Sequence, residues 1–208
     1  SPKLSDISIP IISLQKKEFI LDISDVNEIR NMILYYYNMK KKFKGNHFRN
    51  WKKKISLIDD PKNILNEINK VVNDEPDIKK NPSKELNKIY KSINATQAAL
   101  DNKIHSELDK YSKLGFLKEN RIVFRAGKMM LAVNSSNKKK VRGIIDGFSS
   151  TRQTCFIQPI ALVELTNKLS ELKSYRDKEI LKILKALTLK ISLYYKQIDS
   201  IYYLTKFY

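Results

Sequence analysis

The chain has few of the residues that usually carry catalysis or bind metals. Its 208 residues include a single cysteine, Cys155, and two histidines, His47 and His105, which lie far apart in the sequence. One cysteine excludes an internal disulfide, and this set of residues provides no zinc-ligand spacing. Cys155 lies in an apolar pattern typical of a small core residue, and a lone thiol fits a reducing, cytoplasmic setting. We therefore expect no catalytic residue and no metal ligand in this chain.

Glycine is equally scarce, with five residues in the whole chain. The sequence contains no G-x-x-x-x-G-K-[ST] motif, whose glycine-rich backbone would cradle the phosphates of a nucleotide. We therefore expect no ATPase activity and no bound cofactor. Long hydrophobic runs are missing as well, because none approaches the ~18 residues of a membrane span. We expect neither a signal peptide nor a membrane partner.

Positive charge is what the chain has in excess. Its formal net charge is +18, from 40 Lys and Arg against 22 Asp and Glu. The cations concentrate between positions 121 and 158, where Asp146 is the only acid. Such a cluster predicts contact with the phosphates of a nucleic acid, whereas a general lysine bias would spread charge over all solvated faces. The predicted nucleic-acid-binding residues are Arg121, Arg125, Lys128, Lys138, Lys139, Lys140, Arg142 and Arg152.

A second basic cluster spans positions 39–54. It interleaves cations with Phe43, Phe48 and Trp51 and contains no acid. Aromatic side chains between cations can stack on bases or pack against a core. We favour a helix end and linker with anchoring aromatics, and keep nucleic-acid contact as the alternative.

Two long helical patterns flank the basic segment, at 83–117 and at 159–204. In the second, apolar residues recur mostly at steps of three and four, and no Pro or Gly falls between Ala161 and Tyr208. At ~1.5 Å per residue, such a helix would be roughly 68 Å long. Because the basic segment joins the end of one helix to the start of the other, we expect the two helices to run antiparallel.

Between these helices, β-strand signals replace helical ones. The dipeptide Ala126-Gly127 predicts a tight turn, 148–153 a polar loop, and Pro159 the first turn of the outgoing helix. Arg121–Arg125 is short and rich in β-formers, and Lys128–Asn134 is apolar. Val141–Ile145 is predicted to be a second strand and Thr154–Ile157 a third. The predicted fold class is mainly α with a small antiparallel β element, in which a long antiparallel helical arm carries the strands at its tip.

The first part of the chain gives weaker signals. Ile9 to Ile12 has a β-like pattern, and Asp25 with Glu28 forms a plausible capping box at a helix start. Asp60 before Pro61 predicts the start of a further helix. Residues 73–82 are polar and contain proline, which is typical of a linker.

Several motifs occur in the order known from one protein family. The stretch G-I-I-D-G-F-S-S-T-R-Q-T-C-F-I-Q-P at 143–159 resembles the pattern G-I-V-H-D-x-S-x-T-G-x-T-x-F-I-E-P of the MutS-II branch of the MutS family. The stretches at 78–89, 125–133, 163–169 and 179–188 are similar to its neighbouring motifs. The chain departs from the pattern at Asp146-Gly147, Arg152 and Gln158, where the family has His-Asp, Gly and Glu.

The resemblance implies an architecture and a set of partners. In this family a core and lever of long helices carries a β clamp that embraces DNA, and an ATPase lies near the other end. It implies four parts here: an N-terminal helical core portion (1–76), an incoming lever helix (77–120), a β clamp tip (121–158) and an outgoing lever helix (159–208). The ATPase, with its ATP and Mg, and the Smr nuclease would belong to the parent protein, which would form a homodimer.

Three functions remain open at this point. The first is non-sequence-specific contact with branched or duplex DNA by a core, lever and clamp fragment of a MutS-II-like ATPase. The second is a dimerisation and force-transmitting lever without intrinsic nucleic-acid affinity. The third is an arm that contacts ribosomal RNA, since the family is linked to ribosomes as well as to branched DNA. Of the two nucleic acids, DNA is the favoured partner.

Overall fold

The structure, a computed structural model, describes residues 6–16, 18–42, 49–73, 78 and 82–206. Most of these residues lie in α-helices, and one four-stranded antiparallel sheet accompanies them, which confirms the prediction of a mainly α protein with a small antiparallel β element. The helices are α1 (Ser8–Ser13), α2 (Ile23–Lys42), α3 (Arg49–Ser56), α4 (Lys62–Val71), α5 (Lys84–Lys113), α6 (Ile160–Ser192) and α7 (Tyr195–Lys206). The strands are β1 (Leu117–Arg125), β2 (Lys128–Asn134), β3 (Gly143–Phe148) and β4 (Thr154–Pro159).

The chain divides into two compact units. The first unit comprises 1–87 with 178–208, and the second comprises 88–177. In the first unit α2 packs against α4 and α7, and α1 packs against α7. A hydrogen bond of 3.0 Å from the Leu21 amide to Thr188 Oγ1 also joins the segment before α2 to α6. The second unit contains the whole sheet, so all eight predicted binding residues belong to it.

The start of α2 differs from the predicted one. The helix begins at Ile23, and its cap is Asp22, whose Oδ1 accepts a hydrogen bond of 2.7 Å from the Asp25 amide. Asp25 Oδ2 accepts in return from the Asp22 amide at 3.4 Å. Leu21 and Val26, which flank this box in the positions of a hydrophobic staple, are both fully buried. The predicted Asp25–Glu28 box is therefore wrong, because burial of Leu21 sets the cap three residues earlier.

The β-like pattern at Ile9 to Ile12 does not correspond to a strand, because these residues lie in α1. Ile7, Ile11 and Leu14 are buried at helical spacing, whereas Ile9 and Ile12 are exposed. The apolar residues of this run lie on both the buried and the exposed face of the helix, so the composition of the run resembles that of a strand. Packing against α7 decides the outcome in favour of the helix.

The outgoing helix is interrupted where an unbroken one was predicted. α6 ends at Ser192 and α7 begins at Tyr195, with Leu193 strongly exposed between them. Ser192 Oγ donates a hydrogen bond of 2.9 Å to the Leu189 carbonyl, a local bond that competes with continuation of the helix. Ile191 and Ile198 are both buried, so the apolar seam continues across the break and the periodicity does not reveal it.

The sheet has the order β1-β2-β4-β3, and every neighbouring pair is antiparallel. Ala126 and Gly127 both have positive φ, 45° and 74°, which is the geometry of a tight hairpin turn between Arg125 and Lys128. This confirms the predicted turn. Pro159 is the last residue of β4 and immediately precedes α6, rather than lying in its first turn.

One face of the sheet forms the core of the second unit together with α5 and α6. Val141, predicted to start a strand, instead lies in this core before β3 begins at Gly143. β1 begins at Leu117, earlier than predicted, with a register shift between Leu117 and Ile122. The buried members of the core are Leu100, Ile104, Tyr111, Leu131, Val133, Val141, Cys155, Ile157, Leu162 and Leu169.

Two predicted segments lie partly outside the described residues. Of the cluster at 39–54, residues 43–48 are not described, nor is the side chain of Trp51. Its remaining lysines are exposed at the end of α2 and in α3. Of the predicted linker at 73–82, residues 74–77 and 79–81 are not described, and a β-bridge joins Val72 to Ile78.

Candidate nucleic-acid interface

The predicted cations, apart from Arg121 within β1, lie at the two ends of the small sheet. The pairing of Asn134 with Thr154 marks one end, and the pairing of Gly143 with Pro159 marks the other. β2 runs between them from Lys128 to Asn134, a distance of about 20 Å at ~3.3 Å per residue. Lys128 and Arg142 lie at the Gly143 end. Six of the eight cations are exposed, and Arg125 and Lys138 are half-buried.

At the Asn134 end, a hydrogen-bond network fixes the β3–β4 loop. The Arg152 amide donates to the Ser149 carbonyl at 2.9 Å, and the Thr154 amide donates to Ser149 Oγ at 3.2 Å. Ser135 Oγ donates to the Arg152 carbonyl at 2.5 Å, which attaches the loop to the 3-10 helix Ser135–Asn137. Since Lys138 follows that helix directly, the turn at 138–140 and Arg152 lie at the same end of the sheet.

We call Lys138, Lys139, Lys140 and Arg152 the loop-end cluster. Lys138 Nζ lies 5.1 Å from the centroid of the Phe148 ring, and Lys140 Nζ lies 5.2 Å from that of Phe116. Among the described residues, no carboxylate forms an ion pair with any of the four. Their charges are therefore available to an external anion.

Arg125 differs from the loop-end cluster because its charge already has a partner. Its Nε lies 3.6 Å from Asp146 Oδ2, and its guanidinium lies 4.4 Å from the centroid of the Phe156 ring. Arg125 belongs to β1 and Asp146 to β3, which are the two edge strands of the sheet. Because these strands are not neighbours, the sheet must curl for the two side chains to meet. The Arg125–Asp146 ion pair therefore stabilises the curled sheet.

Arg121 also has an acidic partner, which lies just outside the basic segment at 121–158. It forms an ion pair with Glu119, two residues earlier on β1. Both side chains are largely exposed, and such pairs contribute little free energy. A phosphate can therefore compete for Arg121.

Sequence reasoning missed the exposed apolar side chains on the edge strands. Phe124 on β1 and Ile144, Ile145 and Phe148 on β3 are 41–68% exposed. In the sequence they have the same pattern as the core positions of β2 and β4. What exposes them is the strand order, which places β1 and β3 at the edges and which no local signal encodes.

The described part of the chain offers no group of three or more His, Cys, Asp or Glu placed to hold a metal ion. Burial raises the pKa of the Cys155 thiol, against the opposing positive charge of Lys138. Cys155 is therefore an unreactive core residue in the folded state. No helix among the described residues is both long enough and apolar enough to cross a membrane.

Together, the fold and its charges define a mainly helical protein with a curled, basic antiparallel sheet. No family model matches the chain. A protein named Endonuclease MutS2 from Aquifex aeolicus (strain VF5) is 31% identical over 121 residues, which are 58% of this chain and 16% of that protein.

Proteins of the same name from other bacteria give similar matches. That of Finegoldia magna is 31% identical over 147 residues, or 71% of this chain, and that of Agathobacter rectalis is 34% identical over 134 residues, or 62%. The matched segment is 18% of the first protein and 16% of the second. Over this part of its sequence, the chain is related to MutS2 proteins, and it spans less than a fifth of their length.

Proposed function

We propose that this chain is the nucleic-acid-binding core, lever and clamp portion of a MutS-II-like ATPase. In this proposal the sheet contacts branched or duplex DNA through its phosphates and does not read the base sequence. The loop-end cluster carries the proposal, because four cations lie together there without any carboxylate paired to them among the described residues. The relatives are named endonucleases, a word that implies nucleic acid as their substrate.

The chemistry of the cluster explains why contact would be independent of sequence. Lysine presents a flexible point charge, and phosphate contacts position a protein on DNA without distinguishing base pairs. Each phosphate that is neutralised releases condensed counterions, so affinity falls as salt rises. Lys128 and Arg142 at the other end of the sheet would extend the same contact along the backbone.

A direct titration tests this proposal. Fluorescence anisotropy should show binding to a duplex, to its sequence-scrambled counterpart and to a four-way junction, with equal affinity for the two duplexes. Affinity should fall steeply between 50 mM and 200 mM salt. An RNA duplex of the same length separates DNA from RNA as the partner. If none of these probes binds at low salt, the chain has no intrinsic nucleic-acid affinity.

That last result would favour the second candidate, a force-transmitting and dimerising lever. One observation supports it independently, since α6 is a single helix of 33 residues that contributes to both compact units. A long hydrogen-bonded helix is an element through which displacement can be transmitted. The two candidates are compatible if the sheet binds nucleic acid and α6 transmits the consequence.

We further expect the chain alone to hydrolyse neither ATP nor DNA. Phosphoryl transfer needs a phosphate cradle and a metal-binding acid beside it, and the sequence contains no such glycine-rich cradle. In the proposal, ATP and Mg act in the parent protein. Malachite-green and plasmid-nicking assays should show no turnover, with a full-length MutS2 protein as the positive control. Activity that co-elutes with the chain through two successive columns would contradict this expectation.

A further inference from the structure

The exposed edge of β3 places an aromatic ring beside the loop-end cluster. Phe148 pairs with Cys155, and Ile145 pairs with Ile157. Since Cys155 and Ile157 belong to the core, Phe148 and Ile145 lie on the same face of the sheet as these core residues. The register shifts between Ile145 and Gly147, and this β-bulge allows Ile145 and Phe148 to lie on one face although they are three residues apart. Both remain exposed, at 47% and 41%.

The surroundings of Phe148 are cationic. Lys138 Nζ lies 5.1 Å from its ring centroid, and the loop that carries Arg152 begins at the next residue. An aromatic ring among unpaired cations is the arrangement by which proteins hold single-stranded nucleic acid, with bases on the ring and phosphates on the cations. A duplex does not offer its base faces to such a ring, because they are already stacked within the helix.

We propose that Phe148 stacks on an unpaired base, while Lys138, Lys139 and Arg152 hold the flanking phosphates. This site rests on the proposed function and makes it more specific. It gives the sheet a preference for unpaired nucleotides, such as those at a junction or a single-stranded tail, over a continuous duplex. The Lys138 ammonium moves from the ring to a phosphate as the base arrives.

Two features disfavour a protein partner at this edge. The bulge interrupts the edge strand beside Asp146, so an added strand could not pair along its whole length. A second copy of this chain would bring identical clusters of cations together, and like charges in contact repel. An incoming polyanion has the complementary charge.

The test compares single strands that have the same phosphates but differ in their bases. The protein should bind a thymidine oligonucleotide about 5- to 100-fold more tightly than an abasic strand of equal length, as expected for one stacked base. Phe148→Leu should remove this difference and change duplex affinity less than twofold. The matched control is Phe124→Leu, which changes a more exposed ring on the other edge strand and should leave the difference intact. A uridine strand tests RNA in the same way.

A fluorescence measurement gives an independent readout. The Phe148→Trp variant should bind the thymidine strand at least as tightly as the unchanged protein, and its emission should be quenched on binding. The signal of Trp51, the natural tryptophan, is subtracted with the unchanged protein. Equal unfolding midpoints for all variants show that the sheet is intact.

The outcomes separate this inference from the function on which it rests. If thymidine and abasic strands bind equally, or if Phe148→Leu weakens duplex and single strand alike, stacking on Phe148 is wrong while phosphate binding stands. If neither strand nor duplex binds, the proposed function is wrong and the inference with it. Binding of an acidic peptide that Ile145→Thr abolishes, without any effect of bases, would assign the edge to a protein partner.

Discussion

Replacing Lys138, Lys139 and Arg152 with glutamine should lower the affinity for duplex DNA by a few hundredfold at about 0.1 M salt. The slope of log affinity against log salt should flatten by about 2–3 units, because each lost phosphate contact removes ~0.9. These three cations are available to phosphates because, among the described residues, no carboxylate pairs with them. Anisotropy titrations at four salt concentrations measure both quantities.

A control variant must lose the same charge elsewhere. Lys168, Lys173 and Lys185 are exposed on α6 and have no ion pair among the described residues, so their replacement with glutamine changes the net charge equally. If the effect depends on position, this control should retain most of the affinity and the steeper slope. Equal losses in both variants would show that only total charge matters, and an unchanged triple variant would refute the assigned interface.

Gly143→Ala should destabilise the second unit by about 3 kcal/mol or more, which is at the severe end for overpacking. A Cβ at this position would lie 2.4 Å from the Gln158 carbonyl oxygen and 2.5 Å from Ile157 Cγ2. Both neighbours are buried, and the closer atom belongs to the backbone of β4, so neither can yield without opening the strand pair. Thermal unfolding followed by circular dichroism should show a midpoint lowered by about 6–12 °C.

Gly115→Ala provides the comparison for Gly143. At Gly115 a Cβ would meet nothing within 4 Å, but φ is +67°, so an alanine would be strained only by its backbone conformation. That strain costs about 1–2 kcal/mol. Gly143→Ala should therefore be clearly the less stable variant. Equal midpoints would mean that the β3–β4 pair adjusts to the added methyl group.

Local signals in the sequence were sufficient wherever a short segment decides its own conformation. The Ala126-Gly127 turn, the strand at 154–157 and the long helical stretches follow from turn chemistry and periodicity. Asp60 behaves similarly, since its Oδ1 accepts from the Lys62 amide at 3.1 Å at the start of α4. The grouping of Lys138, Lys139 and Lys140 could be expected because consecutive cations are close in any fold, and their role in binding stays a prediction.

Features that depend on distant packing could not be read from the sequence. The helix at Ile9 to Ile12, the cap at Asp22 and the break after Ser192 all depend on which surfaces the helices bury. The same holds for Arg125, whose partner Asp146 comes from the opposite edge of the sheet. Phe148 is exposed only because β3 is an edge strand, and strand order is a tertiary property.

Because Cys155 is buried, the reactivity of its thiol measures how often the sheet opens. The thiol is fully buried, is the only one in the chain, and has a pKa raised by burial. An alkylating reagent can reach it only after β4 separates from its neighbours, so the labelling rate measures the free energy of that local opening. Because β4 is hydrogen-bonded to both β2 and β3, a ligand that holds the loop-end cluster to the sheet must slow the labelling. The alkylation rate of Cys155 therefore reports how much of the protein has ligand bound at the loop-end cluster.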